Sequence, residues 1–232
     1  YNMRRDKLTA SSFATALNKD HFSTRNQCLY DKITEAPHKS SIHTEWGTKY
    51  EEIATLFYQL ITKTNVLEFG LIPHPDFPVF GASPDGICDE TGPMEYTARM
   101  LEIKCPPKRK FTKTVPHHYW MQMQGQLEVC NLDECDFLQV KLEEYADFTE
   151  YKNDIFDPNV INKYSYPDVK NYNTTITGKT HDNLPKGCTI TYKKQGQETL
   201  SYLYPKLLLS DNEYEQWIES YIEKKLNIIE IK

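Results

Sequence analysis

SPDG at 83–86 and LEIKCP at 101–106 are the two stretches that decide the fold of this chain. The second one is predicted to be a short strand, on which side chains alternate between the two faces. Glu102 and Lys104 therefore share one face, while the apolar residues around them point to the other. An acid and a lysine on a short apolar strand are costly to bury unless they have a task.

Asp85 lies in the turn that follows a predicted strand at 78–82, and Glu102 lies on the next strand, 99–104. A hairpin would bring the two carboxylates together, where they repel each other unless a cation lies between them. Oxygen ligands of this kind suit Mg²⁺ or Mn²⁺ rather than zinc. Lys104 would then contact a scissile phosphate or help to position and deprotonate a water, as in metal-assisted phosphodiester hydrolysis. The alternative is an ordinary surface salt bridge between Glu102 and Lys104.

A third acid is predicted from the clearest helix of the first half, 45–63. Its apolar stripe follows helical spacing through Tyr50, Ile53, Ala54, Phe57 and Ile61. At about 100° per residue, Glu51 falls at the edge of this stripe and can point into a cleft. Glu52 falls on the opposite side and is expected to be a solvated surface charge.

The other elements place this site in an α/β domain around a mixed central sheet flanked by helices. We expect one domain over 1–232, with a core at about 4–145, a variable insertion and tail at about 146–208, and a C-terminal helix at about 210–229. The predicted helices are 9–18 with Thr9 as its cap, 26–34, 116–130 with Pro116 at its first position and Thr114 as a cap, and 211–229 with a Ser210/Glu213 capping box. Tyr119, Met123 and Leu127 form the inward stripe of 116–130. The further predicted strands are 65–72, 135–142 and a hairpin over 188–204 that turns at Gln195-Gly196.

Composition excludes several classes of protein. No run of 18 apolar residues is present, and no signal peptide is visible, so we expect an intracellular, soluble protein without a membrane span. The six cysteines form no C-x-x-C pair, which argues against a zinc ribbon. They are expected to be reduced, structural thiols.

A basic segment stands out because the net charge of the chain is −6. Such a charge argues against a generally adhesive nucleic-acid binder, although carboxylates that hold metal ions contribute to it. The segment from Arg99 to His118 contains six Lys or Arg residues but only one acidic residue, Glu102. We expect a local grip on DNA from Lys108, Arg109, Lys110 and Lys113. The alternative is a solvated basic loop.

The order of these motifs resembles the lambda exonuclease family, also called YqaJ-type viral recombinases, of the PD-(D/E)XK nuclease superfamily. The agreement covers about residues 4–142, and the tail after about 145 has no match. The agreeing blocks are Arg4-Arg5 with Thr9-Ala10-Ser11, Trp46-Gly47 with Tyr50-Glu51, the SPDG and LEIKCP stretches, and Tyr119 with Gln122-Met123-Gln124.

This resemblance implies a restriction-endonuclease-like core and a Mg²⁺-dependent DNA exonuclease, with Mn²⁺ as a substitute. It implies digestion of duplex ends in the 5′→3′ direction, leaving 5′-phosphates. Endonucleolytic or single-strand cleavage by the same core stays open, and so does a DNA-end-binding module without catalysis.

The resemblance also implies a role for each matching residue. Asp85, Glu102 and the backbone carbonyl of Ile103 resemble the metal ligands, and Glu51 resembles the acid that supports a second metal. Lys104 and Gln122 resemble the catalytic lysine and the helix glutamine near the nucleophile or phosphate, while Arg4 and Ser11 resemble the pair that grips a phosphate at the DNA end. Without the family, Arg4 is a flexible terminal charge, and Gln122 belongs to a polar helix stripe with His118 and Gln126 that could equally face water.

Two departures from the family matter. The stretch between Asp85 and Glu102 is longer than usual and is expected to form an extended hairpin. A related branch, the CRISPR-associated exonucleases, shares this core and carries an iron–sulfur cluster on four cysteines. The chain also resembles a giant-virus member of the family that is similar to this branch. The closely spaced C-terminal trio of these cysteines is absent, so no iron–sulfur cluster is expected.

The family further implies partners: DNA, a helicase or single-strand annealing protein, and a homo-oligomeric ring. The inserted hairpin and the tail could block that ring, so the oligomeric state stays open. A viral protein of this kind would work in the host cytoplasm or a virus factory.

Overall fold

The computed structural model describes residues 2–34, 41–108, 114–154 and 185–232. The chain forms two compact units, Tyr1–Lys141 and Leu142–Lys232. Their boundary lies close to the end predicted for the core, and a single domain that comprises both units stays a prediction. In the described part of the chain, no helix is both long and apolar enough to cross a membrane.

The first unit combines five helices with seven short strands in its described residues. The helices are α1 (Asn2–Arg5), α2 (Phe13–Ala16), α3 (Arg25–Ile33), α4 (Ile42–Thr62) and α5 (His117–Cys130), with 3₁₀ turns at Ala10–Ser12 and Met94–Tyr96. The strands are β1 (Leu8–Thr9), β2 (Val66–Leu67), β3 (Ile72–Pro73), β4 (Phe80–Ala82), β5 (Gly86–Cys88), β6 (Met100–Lys104) and β7 (Cys135–Gln139).

The strand that carries Glu102 and Lys104 lies inside a four-stranded sheet of order β2-β5-β6-β7. β5 pairs antiparallel with both β2 and β6, whereas β6 pairs parallel with β7 from Met100↔Cys135 to Lys104↔Gln139. The first four residues of β6 are buried. The predicted mixed central sheet is therefore confirmed. A smaller sheet of order β1-β4-β3 completes this unit.

The predicted helix at 9–18 is only partly correct. Leu8 and Thr9 instead form β1, which pairs parallel with β4, and the backbone N–H of Leu8 donates to the carbonyl of Val79 at 2.7 Å. A 3₁₀ turn and the four residues of α2 follow. The hydroxyl of Thr9 does not cap a helix but hydrogen-bonds to those of Ser11 and Ser12. Pairing with the sheet edge has overridden the local helical pattern.

The strand predicted over 65–72 is divided between two sheets, because β2 pairs with β5 and β3 pairs with β4. The inserted stretch between Asp85 and Glu102 forms β5, the turn at Met94–Tyr96 and β6. The predicted extended hairpin is thus present. β5 itself was not predicted as a separate strand, because its three residues are too few to show an alternating pattern.

Helix α4 begins earlier than predicted because Ser41 caps it: its hydroxyl accepts a hydrogen bond from the Thr44 N–H at 3.1 Å. It ends where Lys63 adopts a left-handed conformation with φ 58°. Its buried apolar face is narrower than the predicted stripe and consists of Tyr50, Ala54 and Tyr58. The predicted stripe members Ile53, Phe57 and Ile61 are only partly buried.

Helix α5 begins one residue later than predicted, because Pro116 occupies the cap position in place of Thr114. Of the predicted inward stripe, Met123 is buried and Tyr119 and Leu127 are half-buried. The remaining buried positions are Gly125, Gln126 and Val129. Gly125 and Gln126 thus lie in the core, although the hydrophobic pattern of the helix did not predict that these positions are buried.

The second unit contains α6 (Phe148–Asn153), the strands β8 (Ile190–Lys193), β9 (Leu200–Leu203) and β10 (Ile228–Ile231), and α7 (Asp211–Glu223). β8 and β9 form the predicted hairpin, with Gly196 at φ 77° in its turn. The predicted capping box is present: Ser210 accepts from the Glu213 N–H, and the Glu213 carboxylate accepts from the Ser210 N–H.

The C-terminal helix is shorter than the predicted 211–229. It ends at Glu223, and Lys225 adopts a left-handed φ of 53°. The isoleucine-rich segment Ile228–Ile231 then pairs antiparallel with β8. β-Branched residues favour strands, so Ile228 and Ile229, which the predicted helix had included, lie instead in the strand that pairs with β8.

Gly125 generates a stability prediction. A Cβ at Gly125 would lie 2.3 Å from Cε2 of the Phe13 ring, so Gly125→Ala is expected to destabilise the protein by about 1–3 kcal/mol through overpacking. Gly47 on α4 is the matched control, since a Cβ there meets no atom within 4 Å. Gly47→Ala should stabilise by about 0.4–1 kcal/mol. Urea unfolding measures both; equal effects of the two substitutions would refute the close contact of α5 with α2.

Candidate active site

Glu102 is the centre of the site. Its side chain is 0% exposed, and three side-chain donors face its two carboxylate oxygens. Oε1 accepts from the ammonium of Lys104 and, at 2.7 Å, from Nε2 of Gln122. Oε2 accepts from Nε2 of Gln126 at 2.8 Å. The surface salt bridge considered as an alternative is wrong for this pair, because the carboxylate lies in the interior.

Asp85 reaches the same place from the turn that precedes β5. Its Oδ2 accepts a hydrogen bond from the backbone N–H of Ile103 at 2.6 Å. The N–H and C=O of one strand residue point to the same edge of the strand. The Ile103 carbonyl therefore lies on the β6 edge that Asp85 approaches, and the three oxygen donors predicted for a metal come from adjacent positions.

The Asp85 carboxyl lies in a strongly unfavourable environment for a second negative charge. Burial raises its pKa to about 8, with repulsion from Glu102 and Glu51 acting in the same direction. The Lys104 ammonium and the Ile103 N–H oppose this effect. A cation between the carboxylates would remove the repulsion and favour their charged forms.

A cleft of about 470 Å³ opens in front of these residues. It gathers predicted catalytic and DNA-binding residues from four distant parts of the sequence. Its lining comprises Arg4, Thr9, Ala10, Ser11, Thr48, Glu51, Glu68, Phe69, Ser83, Pro84, Asp85, Gln122 and Gln126. Glu102 lies behind this surface.

Glu51 faces the cleft, as the helical phase predicted. It is open to solvent, but enclosure by the cleft walls raises its pKa, and the charges of Glu102 and Glu68 add to this effect while Lys104 opposes it. Glu51 is thus a third acid whose charged form gains from a nearby cation.

Lys104 carries the compensating positive charge. Burial disfavours its ammonium, yet attraction by Glu102 and Asp85 outweighs burial and raises its pKa. Its Nζ also lies 5.1 Å from the centre of the Tyr119 ring, at a distance suited to a cation–π contact. Lys104 is therefore held as a cation.

The prediction for Glu52 is wrong. Glu52 is half-buried rather than solvated, and it shares a hydrogen bond with Glu68 from the segment after β2. Burial raises its pKa to about 7, and the charges of Glu68 and Glu51 contribute. Helical phase alone could not reveal this, because the segment that covers Glu52 belongs to a different element.

The alternative prediction that Gln122 and Gln126 belong to a helix stripe facing water is wrong. Gln122 and Gln126 do not belong to a water-facing stripe, since both donate to Glu102. Their i, i+4 spacing on α5 was a usable signal, because it places both on one helix face. The other cleft residues not singled out beforehand are Thr48, Glu68 and Phe69, for which the sequence held no comparable signal.

The predicted basic grip is only partly within the described residues. Lys108 is exposed. Arg109, Lys110 and Lys113 lie outside the described residues, so their role stays a prediction. All six cysteines are free thiols, and Cys88 and Cys105 are buried.

The donor set fits a hydrated Mg²⁺. Within 2–34, 41–108, 114–154 and 185–232, no three His, Cys, Asp or Glu side chains form a closed metal-binding group. Mg²⁺ does not require one, because it keeps several waters and commonly takes one or two carboxylates. Among the described residues, Ser83 Oγ and Gln126 Oε1 are buried without a hydrogen-bond partner, and both residues line the cleft. Both atoms are enclosed, so they leave unused acceptor capacity in the wall of the cleft.

Comparison with known proteins adds independent information. The model of the YqaJ-like viral recombinase domain family matches residues 1–133. An uncharacterised protein of Acanthamoeba polyphaga mimivirus is 32% identical over 243 residues, which cover 94% of this chain and 41% of that protein. The chain thus spans less than half the length of this relative.

Among solved structures, an alkaline exonuclease from Laribacter hongkongensis has a TM-score of 0.51 and 29% sequence identity, covering 61% of this chain and 72% of that one. The resemblance inferred from the motif blocks is confirmed, and so is the α/β nuclease-like core.

The acidic pair Glu52–Glu68 predicts how stability depends on pH. A carboxyl whose folded-state pKa is raised stabilises the fold below its unfolded value, here 4.5, and loses that contribution as pH rises through about 7. In EDTA, Tm should therefore fall from pH 5 to pH 8, and Glu52→Gln should reduce the fall by about 3 °C, the size expected for roughly 1 kcal/mol after screening. Glu45→Gln, at an exposed position of the same helix, is the control. An equal fall in Tm for both variants would contradict the half-buried position of Glu52 beside Glu68.

Proposed function

The chain belongs to the YqaJ-like viral recombinase domain family, and we propose that it is a Mg²⁺-dependent DNA exonuclease that acts on duplex ends. One observation carries the proposal: a single cleft joins the acidic site of Asp85 and Glu51 to Arg4 and Ser11. The structurally similar protein from Laribacter hongkongensis is itself an alkaline exonuclease. A hydrolytic site next to a phosphate-binding corner suits an enzyme that holds a DNA end while it cleaves.

Asp85, Glu102 and the Ile103 carbonyl are the proposed ligands of one Mg²⁺, with Glu51 supporting a second ion. Mn²⁺ should substitute, because it shares the preference for oxygen ligands. Oε2 of Glu102 has a single donor among the described residues and so keeps acceptor capacity. When bound, the ion would lower the pKa of a water and stabilise charge on the phosphoryl oxygens.

Lys104 acts in this proposal as a fixed cation. Because its pKa is raised, it is a poor base for removing a proton from water. Its ammonium instead stabilises the negative charge that develops on the cleaved phosphate. Gln122 is the proposed contact to the phosphate or the attacking water, which its hydrogen bond to Glu102 and its position in the cleft lining support.

The corner formed by Arg4, Ser11 and Thr9 is the proposed grip for the terminal phosphate. Arg4 supplies a charged donor fork, and the hydroxyls of Ser11 and Thr9 lie 3.2 Å apart. Holding a 5′-terminal phosphate there would place the next phosphodiester towards Asp85. The 5′→3′ direction and the 5′-phosphate products are proposed from the family. DNA is the proposed partner. The family further suggests a ring-shaped homo-oligomer and a helicase or single-strand annealing protein as a second partner. It also suggests that the protein acts in the host cytoplasm or a virus factory.

The central test is cleavage of end-labelled linear and closed-circular DNA, with Mg²⁺ and with EDTA. Linear duplex should be degraded only with the metal, and circular DNA should be spared. Asp85→Asn and Glu102→Gln should each lower the rate by about 10³-fold, since each removes a charged ligand from a metal that stabilises the transition state. Glu90→Gln, at an exposed position beyond β5, should retain wild-type activity.

Two results would change the proposal. Cleavage of circular DNA at the rate of linear DNA would favour the endonuclease alternative. Tight binding of DNA ends without hydrolysis in Mg²⁺ or Mn²⁺ would favour a binding module.

Arg4 provides a separate prediction about the DNA end. Arg4→Gln should raise KM for 5′-phosphorylated duplex by about tenfold to a hundredfold, the value of one charged hydrogen bond of roughly 1.5–3 kcal/mol. The KM for unphosphorylated ends should change little. Arg5→Gln is the control, because Arg4 and not Arg5 lines the cleft among the described residues. A loss of equal size on both kinds of end would mean that Arg4 does not read the terminal phosphate.

A further inference from the structure

Gln126 joins the two segments that carry the acidic residues of the site. Its side-chain nitrogen Nε2 donates at 2.8 Å to Oε2 of Glu102 on β6. The same nitrogen lies 3.3 Å from the backbone carbonyl of Ser83, two residues before Asp85. An amide NH₂ has two donor hydrogens, so one side chain can satisfy both acceptors.

The position of Gln126 is expensive for a residue that only fills space. It is 1% exposed, at the centre of α5, and its Oε1 has no hydrogen-bond partner among the described residues. A buried unsatisfied polar atom costs about 1–3 kcal/mol. An apolar side chain of similar volume would avoid that cost, so the amide has a task other than packing.

Gln126 and Gln122 divide the work on Glu102. Gln122 and Lys104 contact Oε1, while Gln126 contacts Oε2. With donors on both oxygens, the carboxylate cannot rotate about its terminal bond without breaking a hydrogen bond. Of these three donors, Gln126 is the one that also reaches the Ser83–Asp85 turn.

We propose that Gln126 is a positioning residue that sets the separation of Glu102 from the Ser83–Asp85 turn and thereby the affinity of the site for a divalent cation. This inference rests on the proposed function, because it assumes that Asp85 and Glu102 bind that cation. Outer partners of metal ligands commonly contribute tenfold to a hundredfold in metal affinity or activity. Among the described residues, the side chain of Gln126 donates to Ser83 and Glu102 and not to the proposed phosphate corner, so DNA binding should not depend on it.

The decisive experiment compares thermal unfolding of wild type, Gln126→Met and Gln124→Met in EDTA and over a titration of Mn²⁺, without DNA. Methionine matches the length of glutamine but lacks the donor, and Gln124 is exposed on the same helix. Wild-type Tm should rise with Mn²⁺, because an ion that binds only the folded state stabilises it. For Gln126→Met, the Mn²⁺ concentration that gives half of this rise should be about tenfold to a hundredfold higher. Gln124→Met should match wild type.

A purely structural Gln126 would give a different pattern. Its loss would lower Tm in EDTA but leave the Mn²⁺ midpoint unchanged, and that result would overturn the inference while the proposed function stands. No Mn²⁺-dependent rise in wild type would overturn both. Gln126→Asn keeps the amide but is one methylene too short to bridge both acceptors, so it should show the same midpoint shift and decides the matter if the methionine variant does not fold.

A kinetic measurement separates the roles further. At a Mg²⁺ concentration near the wild-type midpoint, Gln126→Met should lower kcat and leave KM for DNA within about twofold of wild type, since uniform substrate binding is untouched. A raised KM with normal kcat would place Gln126 at the DNA rather than at Glu102 and would contradict the proposal.

Discussion

The structure of the site depends on one buried charge. Glu102 is enclosed on a central strand, and burying a carboxylate is feasible only when both of its oxygens accept hydrogen bonds or bind a cation. β6 supplies Lys104, and α5 supplies two amides on one face. The orientation of α5 against the sheet is therefore tied to the chemistry of a single side chain.

That arrangement explains why the core of the first unit is partly polar. Gln126 and Gly125 occupy buried positions of α5 that an ordinary amphipathic helix would fill with aliphatic residues. Gly125 allows α5 to approach Phe13, and this close contact brings α2, with the preceding Ala10–Ser12 turn, towards the cleft. Packing and site geometry are thus the same problem here.

Much of this could be predicted from the sequence, and the misses have physical causes. Alternation on a strand placed Glu102 and Lys104 on one face, and helical phase placed Glu51 in the cleft. The same phase argument failed for Glu52, because Glu68 covers it from another element. The helix predictions failed at Thr9 and at Ile228–Ile229, where sheet edges offered backbone pairing that no local pattern encodes. The role of Gln126 needed three dimensions, since its partners lie 24 and 43 residues away.

The pairing of β6 with β7 has a consequence for how such a site can fail. A shift of β6 by one residue would exchange its two faces, so that Glu102 and Lys104 would take the face now occupied by Leu101 and Ile103. The five parallel pairs with β7 resist that slip, and the Ile103 N–H, engaged by Asp85, anchors the opposite edge. Asp85 therefore helps to fix the register of β6 and also supplies a carboxylate to the site. If β6 pairs in the wrong register, Glu102 and Lys104 are both lost from the site together. Correct strand pairing and a complete set of reactive groups therefore arise in the same folding step.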